Sequence, residues 1–285
     1  MTNKPLQKVS VITPVCNLVD NELIDKFNLL IMLLDMQTYP NIEHIIIDKN
    51  SKDGTVELLS DYKNKGYIQF CTEQDSGKYD AFNKGLMHAQ GEYVTFLSCD
   101  DFIHDITAIS EIIEIMEANN AAYSYGISYL IHPEGYVLLF EPAILNAMQV
   151  LPCPHQAMVY RKSALAKIGY FDDKFKIMAN LDVIIRLILN GHKGVYYNKN
   201  YVTCQMSQKT INFPQRAQSE CKAIYVKNFK NLYALTNEIL DNMVKYSDFP
   251  KPLLEKLSEY YPKEYREAFF KSCEQMKQIR LTNQV

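Results

Sequence analysis

Gly91-Glu92-Tyr93-Val94-Thr95-Phe96-Leu97-Ser98-Cys99-Asp100-Asp101 is a largely apolar run that stops in two adjacent carboxylates. Tyr93, Val94, Thr95 and Phe96 are β-formers, and such a run suits a strand buried on both faces of a parallel sheet. Ligands of open α/β sheets bind just beyond the carboxyl ends of the strands. Two carboxylates at that place can hold a divalent cation and, through it, the phosphates of a nucleotide. The competing reading is that Asp100 and Asp101 cap a following helix, a position that Asp favours.

The chain before this stretch decides between them. A β-rich run over 9–13 ends at Pro14. Ile24, Phe27, Leu30, Ile31 and Leu34 have helical spacing, with Asp25, Lys26 and Asn28 opposite, and predict a helix over 24–37. Tyr39-Pro40-Asn41 breaks it. Ile45-Ile46-Ile47 is a second strand ending at Asp48, followed by turn chemistry over 50–55 and a short helix to about residue 62. A third strand covers 68–71, and Asp75-Ser76-Gly77 leads into a helix over 79–89. Alternating strands and helices imply an α/β fold, with a mostly parallel central sheet and helices on both faces. Parallel strands share a direction, so Thr13-Pro14, Asp48 and Asp100-Asp101 converge on one crevice. That convergence favours ligand binding over capping.

After about residue 120 the pattern changes. A hairpin is expected from 122–131 and 136–140 around Pro133-Glu134-Gly135. A strand over 156–160, a helix capped by Ser163, an amphipathic helix over 181–190 closed by Gly191, and short strands at 195–197 and 201–203 follow. From residue 212 onward a long helical stretch over 215–245 precedes a proline-punctuated one. This C-terminal part carries 12 Lys+Arg against 9 Asp+Glu. Packing on the core is the favoured reading of it, because most amphipathic helices cover a core. A homodimer contact and a peripheral contact with an anionic membrane stay open.

Hydrophobic residues make up 47% and charged residues 22%, which is ordinary for a soluble globular protein. A net charge of −3 gives no basic field, so no nucleic-acid partner is expected. Seven scattered cysteines without a C-x-x-C pair read as reduced thiols of a cytoplasmic protein. The polar segment 1–8 has no apolar signal core. The apolar run 29–34 falls far short of the roughly 20 residues of a membrane span.

Several further segments carry a resemblance. They are Val11-Ile12-Thr13-Pro14 with Asn17; 37–43 followed by Ile46-Ile47-Asp48 and 51–55; Asp75-Ser76-Gly77-Lys78-Tyr79-Asp80-Ala81-Phe82-Asn83-Lys84-Gly85; and 91–101. His155-Gln156, Gly169-Tyr170-Phe171-Asp172 and 182–186 complete the series. Across about residues 8–205 the chain resembles family 2 glycosyltransferases of the Rossmann-like GT-A fold, of the bacterial surface-polysaccharide kind. The resemblance implies a GT-A domain over 1–211, with a nucleotide half to about 105 and an acceptor half from about 106, and a helical C-terminal extension over 212–285. It implies an inverting hexosyltransferase moving a sugar from a nucleotide-diphosphate sugar, with a UDP-sugar favoured, to a glycan or lipid-linked acceptor.

Residue by residue, the resemblance makes Asp101 the ligand of Mn²⁺ or Mg²⁺ and places Asp100 at the ribose and cation. Asp48 resembles the residue bonding the base or ribose. Thr13, Pro14 and Asn17 resemble the base-pocket side, and Asp75 and Lys78 face the nucleotide. His155 and Gln156 resemble an acceptor-side element. An inverting transfer needs a carboxylate base, yet the aligned position is Asn180, and an amide does not usefully accept a proton. Asp182 matches the second acid of that pattern. Either Asp182 or a neighbour such as Asp172 or Asp173 takes the role, or the enzyme is weak or inactive. Asp182 reads equally well as a first-turn helix acid. The alternative function is a non-catalytic nucleotide-sugar-binding scaffold of a glycan assembly complex. A sugar nucleotidyltransferase is disfavoured, because residues 11–18 lack its glycine-rich signature.

Overall fold

The run of alternating apolar strands before residue 100 builds one half of a single large sheet. The structure, a computed structural model, describes residues 6–206 and 214–282. Strands β1 (Val9–Val15), β2 (Ile42–Asp48), β3 (Gln69–Thr72) and β4 (Tyr93–Phe96) pair in parallel in the order β3-β2-β1-β4. Helices α1 (Ile24–Asp35), α2 (Thr55–Asn64) and α3 (Lys78–His88) connect them. Side chains alternate across the sheet. Val9, Val11 and Ile46 belong to a core with α1, α2 and α4 (Ala108–Ala118). Ile12, Ile45 and Ile47 belong to a second core with α3 and the later helices. This two-sided burial is the reason the strands read as continuous apolar runs.

Beyond β4 the sheet continues with mixed direction. Strand β5 (Phe102–Ile103) lies at the far end, and β6 (Tyr123–Ile131) forms a hairpin with β7 (Val137–Phe140). Strand β8 (Met158–Arg161) runs antiparallel between β4 and β6, and β9 (Gly194–Gln205) runs parallel to β6. The expected strands at 195–197 and 201–203 are one strand. Its pairing with β6 shifts register around Ile127, and the polar Asn198-Lys199 interruption is absorbed there as an irregularity.

Asp100 and Asp101 do not cap a helix. They lie in the turn before β5, and α4 starts only at Ala108. Ser163 is inside α5 (Lys162–Lys167), whose preceding residue is Arg161.

Helix α6 (Ala179–Leu189) packs on the same face as α3. The C-terminal part folds over it as α7 (Pro214–Phe229), α8 (Asn237–Tyr246), α9 (Lys251–Ser258) and α10 (Arg266–Thr282). The single helix expected over 215–245 is interrupted after Phe229, and Thr236 starts a new one by accepting the Ile239 amide at 3.3 Å. Ile224, Tyr225, Phe229, Leu240 and Phe269 of this region are buried in the second core, so its apolar faces cover the sheet domain. Among the described residues, no helix is long and apolar enough to cross a membrane.

Candidate functional site

The parallel strands deliver their carboxyl ends to one edge, because β1 pairs Val15 with Asp48 and Ile12 with Phe96. The turn after β1 is tied to the turn after β2. Asn17, at φ 49°, donates its amide to the Ser51 hydroxyl at 2.8 Å and accepts from the Lys52 amide at 3.3 Å. Asp48 is fully buried, and its carboxylate accepts both the amide and the hydroxyl of Ser51. In this geometry it holds the loop and presents no exposed surface. Thr13 is also fully buried. Its hydroxyl shares a 2.9 Å hydrogen bond with His44 Nε2 on the inner sheet face. Burial lowers the His44 pKa to about 3, so that pair is neutral. Pro14 keeps part of its surface open at the strand end.

The two carboxylates after β4 have opposite surroundings. Asp101 is fully buried. Its Oδ2 accepts the Ser98 amide at 2.8 Å and the Gln156 side-chain amide at 2.9 Å, and its Oδ1 accepts the Gln205 amide at 2.9 Å. It therefore ties the end of β4 to the start of β8 and the end of β9. Asp100 is partly exposed, and among the described residues no side chain donates to its carboxylate. Burial first, and the Asp101 charge second, raise its pKa. A carboxylate that costs energy to keep ionised, with open coordination, fits a hard divalent cation, which relieves that cost. Of the pair, Asp100 keeps exposed surface and meets only its own backbone amide and the Lys26 charge, whereas Asp101, the expected ligand, has both oxygens hydrogen-bonded.

The opposite wall comes from the start of α3. Gly85 lets that helix press on β1: a Cβ there would lie 2.3 Å from Ile12 Cγ2. Gly77, at φ 142°, makes the turn into the helix. Asp75 accepts the Gly77 amide and the Lys49 ammonium, each at 2.9 Å. Lys78 retains a solvent-exposed face, yet dense protein around it lowers its pKa to about 8, with the Asp101 charge opposing the shift. The open face keeps the ammonium charged at neutral pH. The Lys78 charge also acts on His155. Burial first, and Lys78 second, hold His155 well below its ordinary pKa, so it is neutral. Its ring lies 5.3 Å from that of Phe82, and its Nε2 has no hydrogen-bond partner.

The second half of the expected site divides. Asn180 is buried near the Tyr79 hydroxyl, and its Oδ1 has no partner. Asp182 is fully buried and faces the C-terminal helices. It binds Arg186 at 2.8 Å, Lys227 at 3.0 Å and the Asn228 amide at 3.0 Å. Both oxygens are taken in this structure, and through Lys227 and Asn228 Asp182 ties α6 to α7. Asp172 is paired with the same Lys227 at 2.8 Å.

Asp100, Asp101, Lys78, His155 and Gln156 are thus brought together, while Thr13, Asp48 and Asp182 turn inward. Lys49, Gln205, Lys227 and Glu220 were not anticipated. None belongs to a quoted motif, and apart from Arg216, which pairs with Glu220 along the same helix, the partners lie far away in sequence. A separate group, Cys71, Glu73 and His88, places its ligand atoms within 4.8 Å of one another. Its Glu73 is already engaged by His88 at 3.2 Å and Lys84 at 3.9 Å.

A half-parallel α/β sheet with paired carboxylates after β4 and a lysine at the start of α3 frames the site. The model of "Glycosyl transferase family 2" matches residues 10–168, and the chain belongs to that family. It is 32% identical over 154 residues to an uncharacterised glycosyltransferase of Mycobacterium tuberculosis, covering 52% of this chain and 58% of that protein. An Escherichia coli protein named UDP-Glc:alpha-D-GlcNAc-diphosphoundecaprenol beta-1,3-glucosyltransferase WfaP is 36% identical over 94 residues, covering 33% of this chain and 37% of the other. Neither relative is spanned whole. The fold is similar to the crystal structure of S. aureus TarS 1–349 in complex with UDP-GlcNAc, at a TM-score of 0.62 and 15% identity, covering 97% and 92% of the two chains.

Proposed function

We propose that the chain is a metal-assisted, inverting glycosyltransferase. It moves a hexose from a nucleotide-diphosphate sugar, with UDP the favoured nucleotide, to a glycan or lipid-linked acceptor in polysaccharide biosynthesis. The carrying observation is the partly exposed Asp100, to which no side chain among the described residues donates, beside the fully bonded Asp101, on which the Lys78 charge acts. In this reading Asp100 holds the Mn²⁺ or Mg²⁺, and Asp101 fixes the turn that presents it. A bound divalent cation supplies positive charge to the departing diphosphate. Lys78 adds a second positive charge on the nucleotide side. Pro14 and the Asn17–Ser51 junction shape the base side, and Asp75 holds the turn that presents Lys78.

His155 Nε2 and Asn180 Oδ1 are buried and lack hydrogen-bond partners within the fold, so each gains one from an acceptor or donor-sugar hydroxyl once substrate entry uncovers it. Asn180 can orient a hydroxyl but takes no proton, so slow turnover is expected. The transferase part is assigned to 1–211, with 212–285 as an extension packed on its acceptor half, and the protein to the cytoplasm. The amide at 180 also favours the second reading, a nucleotide-sugar-binding protein without turnover.

The test is UDP release from UDP-glucose and UDP-GlcNAc with MnCl2. Slow release by the wild type and none by Asp100→Ala supports the enzyme. Nucleotide binding without release from any UDP- or GDP-sugar, with or without acceptor, supports the second reading. A wild type that binds neither UDP nor GDP refutes both.

A further inference from the structure

Residues 171–178 run between α3 and α7 and are bonded to both. On the α7 side Glu220, only 8% exposed, accepts the backbone amides of Lys176, Ile177 and Met178, each at 2.9 Å. These amides precede α6 and have no intrahelical partner, and a carboxylate from another helix satisfies them. Lys227 of α7 adds the pair with Asp172. On the α3 side the Lys176 ammonium donates to the Ser76 carbonyl at 3.0 Å and hydroxyl at 3.1 Å. The Tyr79 hydroxyl donates to the Ile177 carbonyl at 2.8 Å. Asn83 exchanges two hydrogen bonds with the Phe171 backbone, at 2.9 and 3.1 Å. Ser76 and Tyr79 bracket Gly77 and Lys78, and the Lys176 side chain lies across Gly77.

We propose that Glu220 is a positioning residue for the nucleotide side of the crevice. It sets residues 176–178, which in turn set the 75–78 turn and the Lys78 ammonium. This rests on the proposed nucleotide reading. Packing alone does not call for it, because α7 already buries Ile224, Tyr225 and Phe229. The route is a continuous set of hydrogen bonds, and coupling through it is a measurable quantity.

Two readouts test it on the full chain. One is calorimetric titration with UDP and MnCl2. The other is amide hydrogen exchange of the unliganded protein at 75–80. Glu220→Ala is expected to weaken UDP binding about tenfold, equivalent to about 1.4 kcal/mol, and to speed exchange at 75–80. Glu220→Gln falls between, since one retained oxygen can still accept from Ile177 and Met178. Lys176→Met reproduces the loss, and combining it with Glu220→Ala adds nothing further. Unchanged UDP affinity and unchanged exchange at 75–80 in a Glu220→Ala protein that merely melts earlier overturns the proposal, as does full additivity with Lys176→Met. If the wild type binds no UDP, the nucleotide reading fails while the exchange arm still decides the coupling.

Discussion

Asp100→Ala and Asp101→Ala remove neighbouring carboxylates, and the structure gives them opposite effects on stability. Removing the fully buried Asp101 side chain strands the buried Gln156 side-chain amide and the part-buried Ser98 and Gln205 amides. Each unsatisfied buried donor costs about 1–3 kcal/mol, and water entering the void relieves part of this. A loss of about 3–5 kcal/mol is expected, a large share of the roughly 5–15 kcal/mol that holds a domain together. Asp100→Ala removes a charge that the fold disfavours. Its raised pKa means that the wild type loses stability as pH rises from the ordinary aspartate range through the folded value. Asp100→Ala escapes that loss, so it equals or exceeds the wild type at pH 7, and the advantage closes as pH falls to about 4. The chain has no tryptophan, so urea unfolding is followed by far-UV circular dichroism. Asp101→Ala as stable as the wild type, or Asp100→Ala as damaged as Asp101→Ala, would refute the division of roles.

Two further predictions follow from the wall opposite. Lys78 titrates near pH 8, so UDP affinity should fall as pH rises through that value, and Lys78→Met should bind weakly with a flattened profile. A titration series from pH 6.5 to 9.5 decides it, and an unaltered slope in Lys78→Met removes Lys78 from the site. Gly85→Ala places a methyl 2.3 Å from Ile12 Cγ2. Overpacking of about 1–3 kcal/mol should exceed the roughly 1 kcal/mol gained in helix propensity, so the urea midpoint should drop. An unchanged midpoint means that α3 has room to retreat from β1.

The first half of the fold was legible because its strands are buried on both faces and alternate with helices, so that periodicity alone orders them. Asp100-Asp101 stood out by their place at a strand end, whereas Lys78 entered only through the family resemblance. Which carboxylate stays open was not legible, since it depends on Gln156 and Gln205, which reach Asp101 from 55 and 104 residues away. The surroundings of Asp182 were hidden for the same reason. Its partners Lys227 and Asn228 lie on a helix whose docking no local pattern specifies. Strand β9 read as two because a bulge looks like a turn until its partner strand is known. Glu220 shows locally only an i,i+4 pair with Arg216, while the backbone amides it accepts belong to another element.

The most direct test is UDP titration of the wild type and Asp100→Ala, each with MnCl2 and with EDTA. Manganese-dependent binding by the wild type, lost in Asp100→Ala, is the predicted result. Equal UDP affinity in EDTA, or undiminished manganese-dependent binding in Asp100→Ala, would contradict a metal-assisted nucleotide site at the end of β4.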